Sequence, residues 1–161
     1  PSFYFDLKKY KKSLDKNDVP WTPAITLVVG LQKVLQMMKA EGMEEIWARH
    51  ERLAVATRAA MKALGLTLLA ERPSNAVTAV LLPESVDGGK LVKILRDELG
   101  ITLAGGQDHL KGKIFRIAHM GFCNQYDVIV GVAAVEEGLA KLGFAFDKSA
   151  GVKAFQQAWL R

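Results

Sequence analysis

Cysteine is almost absent: Cys123 is the only one among 161 residues. An internal disulfide is therefore excluded, and no paired cysteines stand at metal-ligand spacing. The expected compartment is a reducing one, the cytoplasm. Long apolar runs are lacking too. The longest uncharged apolar stretch, Pro23 to Leu31, is too short to span a bilayer, and no signal-peptide layout precedes it. No membrane partner is expected. Nor do aromatic residues interleave with a basic groove. The net charge is +5, from 22 basic and 17 acidic residues, but the two signs are interspersed. The densest basic cluster, Lys8, Lys9, Lys11 and Lys12, reads as a solvated helix face rather than a nucleic-acid surface. His50, His109 and His119 lack the matched spacing of a metal site, so they read as surface or packing residues. Cys123 has no identifiable base beside it, which leaves no nucleophilic pair.

What is present is the balance of an ordinary globular protein, 50% hydrophobic and 24% charged. The length suffices for one compact core, or for a small domain plus pieces of a neighbour. An opening Pro1 in place of methionine fits either processing or a fragment. Residues 1–16 begin with Phe3, Tyr4 and Phe5 and turn into a short lysine-rich helix. Thr22-Pro23 reads as a helix start, with threonine as N-cap and proline in the first turn, and the helix runs to about Ala40 before Glu41-Gly42. A second helix covers Met43 to Leu64, with Ile46, Leu53, Ala56, Ala60 and Leu64 as its apolar stripe and Arg49, Arg52 and Arg58 outward. Strands follow at 66–71 and 76–82, a helix at 90–99, strands at 101–104 and 113–119, and helices at 127–142 and 150–159. The expectation is an α/β chain whose residues 66–143 form a β-β-α-β-β-α unit, a small antiparallel or mixed sheet with helices on one face.

Three features carry possible chemistry. Arg116 lies in the strand Lys113-Ile114-Phe115-Arg116-Ile117-Ala118, on one face with Ile114 and Ala118. A guanidinium among aliphatic neighbours needs an anion or a hydrogen-bond acceptor. It is either a clamp for a substrate carboxylate, a structural ion pair, or exposed at a sheet edge. Gly105 and Gly106 open a mobile-looking loop that ends at Gly112; it is either a ligand loop or a plain connection, and it is no P-loop. Thr22 opens a helix, where an N-terminus holds a phosphate or a hydroxyl merely caps.

Taken in order, several segments resemble the class V aminotransferases, of the alanine–glyoxylate and serine–glyoxylate (serine–pyruvate) group. They are Ser2-Phe3-Tyr4-Phe5-Asp6, Trp21-Thr22-Pro23-Ala24, Glu45 to His50, Ala63-Leu64-Gly65-Leu66, Gly105-Gly106, and Lys113 to Gly121. The resemblance implies the carboxyl-terminal portion of a fold-type I transferase dependent on pyridoxal 5'-phosphate. Residues 1–42 would end the large cofactor domain and start the interdomain helices, and residues 43–161 would form the small domain. It further implies a homodimer with shared active sites, and a cofactor lysine lying shortly before residue 2, outside this chain, so that the chain alone is inactive. Arg116 would clamp the substrate carboxylate with Gly105 and Gly106 beside it, and Thr22 would reach the cofactor phosphate of the neighbouring subunit. Some relatives carry a tyrosine three residues before that threonine, where this chain has Val19. The related desulfurases carry a cysteine on the loop before the arginine, and this loop has none. The implied reaction is a ping-pong amino transfer from a small amino acid, alanine or serine, to the 2-oxo acids glyoxylate or pyruvate. A stand-alone small-molecule-binding or interaction domain is the alternative. The fragment reading requires exposed apolar surface on the helix over residues 22–41.

Overall fold

The structure, a computed structural model, describes residues 3–160. Pro1, and the Ser2 that opens the first matching segment, lie outside the described residues. The chain divides into two compact units, Pro1–Met43 and Glu44–Arg161.

In the first unit a 3₁₀ turn (Phe3–Phe5) leads into helix α1 (Leu7–Leu14). Asp6 starts α1, its carboxylate accepting from the amides of Lys8 and Lys9 at 3.0 and 3.3 Å. The rings of Phe3 and Tyr4 pack on Trp21, with centroids 4.4 and 5.2 Å away. The lysine cluster is exposed, and the Lys9 ammonium also lies over both Phe3 and Trp21 as a cation–π partner. Helix α2 spans Ile25–Glu41, and Gly42, at φ +89°, ends it. Thr22 is not its cap. Ala24 is the cap residue, with φ −76° and ψ 66°, and the Ile25 amide donates to the Pro23 carbonyl at 2.9 Å. That inverse γ-turn takes Ala24 out of helical ψ, and no side chain caps the helix. No residue of α2 is buried; Ile25 is 61% and Leu27 73% exposed.

Helix α3 (Met43–Ala63) opens the second unit, followed by β1 (Thr67–Leu68), β2 (Val77–Leu81), α4 (Gly88–Asp97), β3 (Ala104–Gly105), β4 (Ile114–Ala118), α5 (Gln125–Lys141) and α6 (Ala150–Trp159). The expected β-β-α-β-β-α order is present. All strand pairs are antiparallel and the sheet order is β1-β2-β4-β3. Period-2 alternation turns Val80, Phe115 and Ile117 to one face, where they pack with Leu53, Met61, Leu91, Leu95, Val132, Val135, Leu139 and Phe155. Each fully buried side chain of this size contributes about 1.5–3 kcal/mol relative to exposure, so this face decides the register. The other face carries Ala79, Ile114, Arg116 and Ala118, none of which belongs to the core cluster; Ile114 is buried near Gly106, Ala79 and Arg116 are half-buried and Ala118 is exposed.

Two helices start earlier than their apolar pattern suggests, because polar caps extend them. Asp87 accepts from the amides of Gly89 and Lys90 at 2.9 and 3.0 Å. Asn124 and Asp127 form a reciprocal capping box ahead of α5. On α3 the whole predicted apolar stripe is buried. Arg52 does face outward, but Arg49 and Arg58 are half-buried. Arg49 Nη1 donates to the carbonyls of Gly121 and Cys123 at 3.0 and 2.9 Å. Arg58 donates to the carbonyls of Ala54 and Pro73 and to Asn75 Oδ1. Both tie α3 to loops that leave the sheet. Helical periodicity assigns a charged side chain to solvent; it does not see a carbonyl approaching from a distant loop.

Candidate functional site

Arg116 occupies the middle of β4, where register places Ala79 on one side and Ala104 on the other. Two alanine neighbours leave lateral room beside a long side chain on the open face. Arg116 Nε donates to the Gly105 carbonyl at 3.1 Å. Neither terminal Nη group has a hydrogen-bond or ion-pair partner among the described residues, so the structural ion-pair alternative finds no support there. A guanidinium fixed through Nε, with both Nη groups directed away from that bond, presents the end-on fork that matches a carboxylate.

The structure brings Gly105 and Gly106 to this arginine, though neither has positive φ. Gly105 contributes its carbonyl. Gly106 is constrained by the chain itself: an added Cβ would stand 2.0 Å from the Leu110 carbonyl oxygen and 3.0 Å from Ile114 Cγ1. The segment up to Gly112 is closed on itself rather than loose. The Leu110 amide donates to Gln107 O at 2.9 Å, Lys113 to Leu110 O at 3.0 Å, and Gly88 to Gly112 O at 3.2 Å.

Thr22 lies in the first unit, exposed, three residues before α2. Its hydroxyl makes no hydrogen bond among the described residues, and the amides of Thr26 and Leu27 in the uncapped first turn of α2 have no acceptor there. Free amides at a helix start are donors suited to a phosphate group, and the Thr22 hydroxyl is a further donor three residues before the helix.

His119 is fully buried behind β4. Its Nε2 lies 2.9 Å from Thr78 Oγ1 and its Nδ1 3.0 Å from the Asn75 carbonyl. A carbonyl only accepts, so Nδ1 carries the proton and Nε2 accepts from the threonine hydroxyl. Burial lowers its pKa to about 4, against the raising effect of the Asn75 carbonyl; Arg58 and His50 lower it further. This histidine is a neutral packing residue. Cys123, half-buried, has its thiol pushed up by burial and then by Asp127, the reverse of an activated nucleophile.

Sequence reasoning found Arg116 but not the alanines beside it, since cross-strand partners depend on register. An alternating strand next to a paired-glycine loop is the one local signal that joins Arg116 to Gly105.

A family model described as Aminotransferase class-V matches residues 13–125. The small subunit of the soluble hydrogenase of Synechococcus sp. (strain PCC 6716) is 48% identical over 157 residues, covering 96% of this chain and 41% of that protein. The serine–glyoxylate aminotransferase of Methylorubrum extorquens is 36% identical, over 94% of this chain and 38% of its own length. Among solved structures, the ureidoglycine–glyoxylate aminotransferase of Bacillus subtilis superposes with a TM-score of 0.91 at 27% identity, over 99% of this chain and 42% of that one. The chain thus spans about two-fifths of the length of the relatives it matches.

Proposed function

The chain belongs to the class V aminotransferases, a pyridoxal-phosphate-dependent family, and from that premise we propose that it supplies the substrate-recognition part of such an enzyme. The complete polypeptide moves an amino group from alanine or serine to glyoxylate or pyruvate, as a cytoplasmic homodimer. The lysine that holds the cofactor lies outside these 161 residues. When bound, the cofactor supplies the electron sink for cleavage at the donor's α-carbon.

The observation that carries this reading is Arg116, braced through Nε with both Nη groups unengaged on the open sheet face. In that role it takes the substrate carboxylate and orients the Cα–H bond, a positioning contribution. Thr22, with the free amides at the start of α2, fits the phosphate end of the cofactor by donor chemistry. The exposed apolar surface of α2 supports a covering partner, either the rest of the polypeptide or a second subunit.

The test is Arg116→Ala in the full-length enzyme. Loss of a bidentate charged contact costs about 3–4 kcal/mol, so KM for the amino donor rises about 100- to 1,000-fold, while the cofactor's visible absorbance is retained. Saturation at parental donor concentrations would overturn the assignment.

A further inference from the structure

We infer that the segment from Gly105 to Gly112 is a positioning brace for Arg116, selecting end-on carboxylate binding, rather than a loop that touches substrate. This rests on the reading of Arg116 as the carboxylate site. The carbonyl that accepts from Nε belongs to the peptide unit joining Gly105 to Gly106. That unit is planar and turns as one body, so any displacement of the Gly106 Cα re-aims the oxygen.

Gly106 is held by close packing on its own chain. The Leu110 carbonyl carbon and oxygen lie 2.5 and 2.0 Å from where its Cβ would be, so only glycine permits the closure. Leu110 is in turn fixed from both sides, donating to Gln107 O and accepting from the Lys113 amide. The far end is pinned where Gly112, at φ +75°, accepts from the Gly88 amide against the first turn of α4. Gly88 allows this approach because it has no Cβ; one there would meet Gly112 O at 2.5 Å. The chain of contacts runs from α4 through Gly112, Leu110 and Gly106 to the Gly105 carbonyl, and ends on Nε of Arg116. With Nε occupied, a carboxylate meets the two Nη groups end-on. Without the brace, the side-on Nε–Nη edge opens and the side chain loses its fixed orientation.

The experiment uses the full-length enzyme and propionate, an unreactive carboxylate, with its dissociation constant measured by calorimetry on parent, Gly106→Ala, Gly112→Ala and Arg116→Ala. Donor kinetics with alanine and with ethylamine, which lacks the carboxylate, complete the set. Gly106→Ala should weaken propionate about tenfold, equivalent to one hydrogen bond to a charged group. It should raise KM for alanine and lower the preference for alanine over ethylamine, a change in discrimination that general destabilisation would not produce. Should Gly106→Ala fail to fold, Gly112→Ala decides, with a loss of propionate affinity in the same direction. If Arg116→Ala loses propionate while the folded loop variant binds it like the parent, the brace is overturned and the carboxylate site stands. If Arg116→Ala binds propionate like the parent, the carboxylate site itself falls, and the brace with it.

Discussion

His119 gives the most quantitative prediction. It is buried and neutral, donating from Nδ1 to the Asn75 carbonyl and accepting at Nε2 from Thr78, so it joins the start of β2 to the chain leaving β4. Its folded pKa is about 4, against an ordinary value of 6.5. A base with a depressed folded pKa is protonated first in the unfolded chain. Its contribution is therefore complete above about pH 6.5, is lost as pH falls toward 4, and is flat below that. A gap of about 2.5 units corresponds to about 3.4 kcal/mol in full, and between pH 7.5 and 4.5 to about 2.5 kcal/mol. The perturbation is His119→Gln, which removes the titrating ring. Urea unfolding of both proteins at several pH values isolates the effect, because shared carboxylates cancel in the difference. The parent should lose about 2.5 kcal/mol more than the variant over that interval. Parallel pH profiles, or the assigned His119 imidazole titrating near pH 6.5 by NMR in the folded parent, would refute the reasoning.

Further outcomes follow from other contacts. Glu136 accepts from the amides of Ser149 and Val152 at 3.0 and 2.9 Å and so caps α6 from α5; Glu136→Ala should cost about 1–2 kcal/mol by urea unfolding. At the same helix start, a Cβ on Gly151 would meet Glu136 Oε1 at 2.8 Å and Leu64 Cγ at 3.1 Å. Gly151→Ala should therefore lower the unfolding midpoint despite alanine's better helix propensity; an unchanged or raised midpoint would contradict the packing. The exposed apolar α2 predicts that this chain in isolation self-associates and binds a hydrophobic dye, and that Leu27→Lys with Leu31→Lys reduces both. Sedimentation and dye fluorescence test that pair. Arg116→Lys should restore little of the donor affinity lost in Arg116→Ala, because a point charge cannot reproduce the fork.

Much of the fold is legible in the sequence because its signals are local. The buried stripe from Ile46 to Leu64 follows from 3.6-residue periodicity, and the alternation around Phe115 and Ile117 marks β4. The caps at Asp87 and Asn124 are also written locally, three residues or fewer from the amides they satisfy, although apolar pattern alone places those helix starts late. Thr22 shows the opposite failure. Threonine before proline has the chemistry of a cap, yet the γ-turn at Ala24 moves the helix start beyond its reach.

Residue identities alone thus determined the element order, the inward stripe of α3 and the presence of one arginine in an otherwise apolar strand, because each depends on neighbours within a turn or two. Tertiary structure alone decided what that arginine touches. Antiparallel register set Ala79 and Ala104 beside Arg116, and backbone closure at Gly106 aimed a carbonyl at its Nε. The same holds for the loop partners of Arg49, Arg58 and His119, which lie 15 to 74 residues away in sequence. Contacts at such separation form only when the buried face of the sheet has selected one register, and no local pattern encodes that choice.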